Sequence, residues 1–132
     1  MMIWETVVMT HLTAKEGLFV IPQFDIGWDK LTGTGGSCPD FIALHPDIPE
    51  RVYIVEVSEG WDLGALDMRF VERKTRWYQP LNKSFLFWGQ AGPFDFRSIA
   101  YIRRDAAYFT CEGQDIEKRY LEDEQIAFHW KS

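Results

Sequence analysis

Cysteine is scarce in this chain. Cys38 and Cys111 are the only two, and neither stands in a CxxC pair or in a Cys/His cluster with zinc-ligand spacing. A disulfide framework is thereby excluded, and both residues read as reduced structural thiols. Positive charge is also short: 14 Lys and Arg stand against 20 Asp and Glu, for a formal net charge of -6. That balance argues against a surface that grips nucleic acid by phosphate attraction alone. It leaves room for local positive charge, from a bound metal or from one basic face. The basic residues are in fact uneven, with Arg69, Arg73, Lys74 and Arg76 in one segment and Arg103 and Arg104 in another. No apolar run approaches the length of about 18 residues that a membrane helix needs, and the N-terminus lacks the basic, apolar, small-residue order of a secretory signal. The expectation is a cytoplasmic protein with no membrane contact.

Familiar catalytic spacings are missing as well. His11, His45 and His129 form no HxH or HExxH pair, no GxSxG elbow occurs, and neither cysteine has an evident histidine partner. The glycine-rich GTGGS at 33–37 lacks the GxxxxGK[ST] order of a phosphate loop and opens a strand rather than a helix. What remains is a chain of 132 residues, 46% hydrophobic, enough to bury one core. A single domain over 1–132 is expected, with a core over about 3–88 and a β-rich C-terminal extension over about 95–132. Its six tryptophans and five tyrosines fall mostly at core spacing and read as packing before they read as base-stacking platforms.

The order of elements is informative. Ile3, Val7, Val8 and Leu12 recur at helical spacing, and Gly17 is a plausible stop. LFVIPQFDIGW (18–28) reads as a first strand, with Pro22 marking an edge or a bulge. A glycine-rich turn leads into PDFIALHP (39–46) as a second strand. After a turn at 47–50, RVYIVEVS (51–58) is nearly continuously apolar, as a central strand covered on both faces would be. Leu63, Leu66, Phe70 and Trp77 then predict one helix over 63–79, ended by Pro80. SFLFWG (84–89) reads as a short strand, and RSIAYIRR (97–104), AAYFTCEG (106–113) and IAFHW (126–130) as further strands. DIEKRYLEDEQ (115–125) admits a helix instead.

Two acidic residues stand out in this frame. Asp40 opens the second strand and Glu56 lies near the end of the third. Carboxylates at matching heights on neighbouring strands, about 4.8 Å apart, can share one hard divalent cation, Mg2+ or Mn2+. Alternation along 51–58 puts Val52, Ile54, Glu56 and Ser58 on one face, and Tyr53, Val55 and Val57 on the other. An isolated carboxylate on so apolar a strand needs a partner, a metal or a nearby lysine, unless the strand ends at Val55 and leaves Glu56 in water. Lys74 falls close to the axis of the apolar stripe. It either snorkels outward or turns its ammonium toward the carboxylates, with Arg73 as a competitor. Glu5 is either a third carboxylate for the site or an acidic residue favoured by the helix dipole.

GGSCPDFIAL, fifteen intervening residues between Asp40 and Glu56, then IVEVS and a helix together resemble the PD-(D/E)XK, or restriction-endonuclease-like, superfamily. The resemblance covers roughly residues 3–88 and includes Glu5 where many members carry a first-helix glutamate. It implies an α/β (α+β) fold whose core runs helix, three strands, helix, strand, around a mixed central sheet with extra C-terminal strands. It also implies metal ligation by Asp40 and Glu56. Where the family's motif ends in lysine this chain has Ser58. One large group of members carries the lysine on the following helix, four residues before a tyrosine. Lys74 and Tyr78 are similar in spacing, which gives Lys74 the lysine's role. The implied function is a metal-dependent nuclease acting on DNA, with Asp40, Glu56, Lys74 and Glu5 as catalytic residues and a homodimer as one mode of assembly. Two alternatives stand beside it: a nuclease-fold subunit that binds without cutting, and a small interaction module using its aromatic C-terminal strands.

Overall fold

The computed structural model describes residues 3–87 and 93–123. Its centre is a mixed five-stranded sheet in the order β1-β2-β3-β4-β5, with β1 Phe19–Pro22, β2 Phe41–His45, β3 Ile48–Val57, β4 Asp95–Ile102 and β5 Ile116–Tyr120. The first three strands run antiparallel to one another, while β4 lies parallel to β3 and β5 parallel to β4. A parallel neighbour requires a crossover, and the helical segment between β3 and β4 provides it. The chain is thus mixed α/β.

β3 occupies the middle of the sheet, as its apolar run predicts. Val52 and Ile54 pack with Leu66, Phe70, Trp77 and Leu81 on one face. Val55 and Val57 pack with Val8, Leu12 and Leu121 on the other. Pro22 ends β1, whose only strand neighbour among the described residues is β2, an edge position where a missing N–H costs nothing. The turn expected at 47–50 is partly absorbed into β3, which already begins at Ile48, and the ladder shifts register between Leu44 and His45.

The first helix is α1 (Ile3–Thr10), prolonged by a π-helical turn over His11–Lys15. The second departs from the single helix expected over 63–79. α2 spans Gly64–Val71, a π-helical segment covers Lys74–Tyr78, and α3 runs Gln79–Phe87. Pro80 does not end the helix: α3 follows the π-helical segment without a break, and the Thr75 carbonyl five residues before Pro80 is taken by the Gly35 N–H instead. The strand expected over SFLFWG is not formed at Ser84–Phe87, which continue α3, while residues 88 and 89 lie outside the described residues; the fourth strand falls at 95–102. AAYFTCEG forms a loop between β4 and β5, in which Ala107 makes only an isolated bridge to Asp62. The segment 115–125 supplies β5 rather than a helix over Ile116–Tyr120, and IAFHW lies outside the described residues.

A polar cluster fastens the π-helical segment to the last two strands. Arg73 holds Asp115 through Nε at 2.6 Å and Nη2 at 2.9 Å, and Tyr78 donates to the same carboxylate at 2.7 Å. The Tyr78 hydroxyl also lies 2.6 Å from that of Ser98, a fully buried residue of β4. The Arg73 guanidinium lowers the Asp115 carboxyl to about 2. Arg73 is therefore committed to holding the fold together.

Candidate functional site

The antiparallel register of β2 and β3 decides where the two acidic residues meet. Phe41 is opposite Val55 and Ile42 opposite Ile54. Continuing that ladder by one residue sets Asp40 opposite Glu56, and directly opposed residues of an antiparallel pair share a face. The face is the one on which Ile42, Ile54 and α2 pack.

Asp40 is placed from two directions. Before it, residues 26–37 fold back on themselves through bridges between Ile26 and Ser37 and between Asp29 and Thr34. Gly35 makes this possible: its φ is +86°, and a Cβ there would collide with the carbonyl oxygen of Gly27. The Gly35 N–H donates to the Thr75 carbonyl, and the Trp77 indole N–H donates to the Ser37 hydroxyl at 3.1 Å. The hairpin is thereby tied to the π-helical segment just ahead of Cys38, Pro39 and Asp40. After it, the backbone N–H of Val57 donates to Asp40 Oδ2 at 2.7 Å.

Glu56 is only 6% exposed. Burial pushes its carboxyl up to about 8, and the neighbouring Asp40 charge pushes the same way, while Arg69 pulls it down. Asp40 is also raised, first by burial and further by the Glu5 carboxyl, against the lowering effect of the Val57 N–H and of Glu56. Asp40 is in hydrogen-bonding contact with both Glu56 and Glu5. Burial and the neighbouring carboxyls therefore both favour the protonated form of Asp40 and Glu56. Glu5, from α1, thus joins Asp40 and Glu56 at the end of the sheet.

The expected cation is a different residue. Arg69 of α2 brings its Nε to 3.4 Å from Glu56 Oε1. Lys74 is exposed, and no hydrogen bond or ion pair joins it to Asp40 or Glu56 among the described residues. Trp77 keeps its place in the stripe and is fully buried, whereas Lys74, four residues after Phe70, is exposed and carries its ammonium out to solvent. Arg69 carried a signal of its own, since it lies three residues after Leu66 and so flanks the buried stripe on the helix next to Glu56. Ser58, at the end of the motif, carries no charge. Its backbone N–H is spent on the Tyr101 carbonyl.

The donor set fits a small divalent ion. Two hard carboxylates facing each other across neighbouring strands, with pKa values raised by burial, are oxygen donors of the kind a small dication takes. Among the described residues no group of three or more His, Cys, Asp or Glu side chains makes a ready-built cage. A Mg2+ ion does not need one, because it commonly binds one or two carboxylates and keeps several waters. No helix of the described residues is long and apolar enough to cross a membrane. No protein-family model and no curated protein matches this sequence, and the site is read from its geometry.

Proposed function

We propose that the chain is a metal-dependent nuclease of the PD-(D/E)XK type that hydrolyses phosphodiester bonds in DNA. The observation that carries the reading is the opposed pair of a buried Glu56 and a half-buried Asp40, both with raised carboxyl pKa values. Their oxygens would hold one Mg2+ or Mn2+. Bound there, such an ion lowers the pKa of a water and offsets charge developing on the phosphate. The Val57 N–H fixes the orientation of Asp40, so its free oxygen is presented without a search of rotamers. Arg69 supplies the fixed positive charge that Ser58 cannot, and its planar guanidinium suits phosphate oxygens. Glu5, in contact with Asp40 and only partly buried, is placed to accept a proton from an attacking water.

A second reading, a nuclease-fold subunit that binds without cutting, is favoured by Ser58 at the motif's lysine position and by the net charge of -6. Cleavage assays separate the two. Linear, supercoiled and branched DNA, and RNA, are incubated with the protein in Mg2+ and in Mn2+, beside Asp40→Asn and Glu56→Gln. The nuclease reading expects DNA cleavage by the wild type that both variants lose. Equal cutting by wild type and variants, or none by either, would sink it.

A further inference from the structure

An aromatic and cationic surface lies at the same end of the sheet as the carboxylates. Glu56 pairs with Ala100 and Val57 with Tyr101, so the chain leaves β3 and β4 side by side. Five residues beyond Glu56 is Trp61, and two residues beyond Tyr101 is Arg103. The Arg103 guanidinium carbon stands 3.8 Å from the Trp61 ring centroid, covering one side of the indole. Trp61 is nonetheless 57% exposed, so the side away from Arg103 faces solvent. Asp105 takes the Arg103 Nε at 3.5 Å and steadies the guanidinium. The Trp61 carbonyl accepts the Ala107 N–H at 2.7 Å, which fixes the loop backbone carrying the ring.

The residue after Ala107 is Tyr108, 68% exposed and held at φ +71°, a backbone conformation costly for a side chain of that size. The ring is mostly exposed, so burial offsets little of that cost. Two exposed aromatic side chains, one backed by a guanidinium and the other next to the residue whose N–H holds the Trp61 carbonyl, make a poor core and a good stacking surface. Duplex DNA keeps its bases stacked inside, so only an unpaired base can use such a surface.

We infer that Trp61, backed by Arg103, is a platform on which one unpaired base of a DNA strand stacks, so that the carboxylate site acts on single-stranded DNA or on a single-stranded end. The inference rests on the nuclease reading for what the site does, and on the stack itself for what it binds. The indole lies between the guanidinium and the base. The cation holds the indole in place through its attraction to the near π-face and offsets charge on the adjoining phosphate. Specificity for sequence is not expected, because every base offers a π-face.

Binding is measured by fluorescence anisotropy in EDTA at low salt, so that no cleavage and no metal is involved. Three DNAs are compared: a blunt duplex, the same duplex with a short single-stranded overhang, and that overhang with its nucleotides made abasic. The overhang is expected to bind about tenfold tighter than either of the others. Trp61→Leu, which keeps apolar bulk and loses the aromatic face, is expected to lose that tenfold advantage, whereas Trp61→Phe keeps most of it. Equal binding of the intact and abasic overhangs by the wild type overturns the inference without recourse to any variant. So does an overhang preference that Trp61→Leu leaves unchanged, or no binding of any of the three. A Trp61-dependent preference without metal-dependent cutting would keep the platform and remove the nuclease reading. Cutting that needs Asp40 and Glu56 but ignores Trp61 would do the reverse.

Discussion

Replacing Glu56 with glutamine is expected to make the protein more stable. The carboxyl has an ordinary value of 4.5 and is pushed to about 8 in the fold, chiefly by burial. Between those values the folded chain keeps a proton that the unfolded chain has released. The contribution of Glu56 to stability is therefore fully present below about 4.5 and is lost progressively as the pH rises to about 8. At pH 7 that loss is about 3 kcal/mol, from about 1.4 kcal/mol for each pH unit above the unfolded value. Glutamine is neutral at every pH, has nearly the same shape, and its amide can donate to Asp40 as the protonated carboxyl does. In EDTA, Glu56→Gln should exceed the wild type by about 3 kcal/mol at pH 7 and about 4 kcal/mol at pH 8, a rise in Tm on the order of 10 °C, and differ little at pH 5. Thermal and urea unfolding followed by circular dichroism from pH 5 to 9 would measure it. A wild type whose stability is level across that range, or a glutamine variant no more stable than wild type at pH 8, would refute the reasoning.

Two other substitutions test the surroundings of the pair. Arg69→Met removes the cation that lowers Glu56, so the upper end of the pH-dependent loss of stability should move above the wild-type value of about 8; an unmoved upper end would place the guanidinium elsewhere in solution. Gly35→Ala puts a Cβ against the Gly27 carbonyl at a φ of +86°, and should cost about 2 kcal/mol or more by equilibrium unfolding. Because that hairpin leads into Asp40, the same variant should weaken binding of Mn2+.

Much of this was legible in the sequence. The β-branched run around Val52–Val57 and the Pro39-Asp40 start of the preceding strand marked two neighbours, and period-two alternation put Glu56 on the face of Val52 and Ile54. Once those strands pair antiparallel, the opposition of Asp40 and Glu56 follows from register alone. Glu5 was legible as a candidate but not as a contact, since its reach depends on how α1 lies across the sheet. Lys74 was misplaced because a lysine beside an apolar stripe can carry its ammonium out to water, while Trp77 in the same stripe is buried as its spacing predicts. The strand expected at 84–89 failed over Ser84–Phe87 because the helix runs on through Pro80, its missing N–H offset where the Gly35 N–H takes the Thr75 carbonyl. Short apolar runs such as SFLF are ambiguous between the two elements, and only their packing decides. The commitment of Arg73 to Asp115 joins residues 42 apart and left no trace in local spacing.

The account stands on one cation being shared by Asp40 and Glu56, and titration of the protein with Mn2+, followed by thermal melting, tests it most directly. Because the ion must displace protons, the rise in Tm should be larger at pH 8.5 than at pH 6 and should vanish in both Asp40→Asn and Glu56→Gln. A rise of equal size at both pH values, or one that survives either substitution, would contradict it.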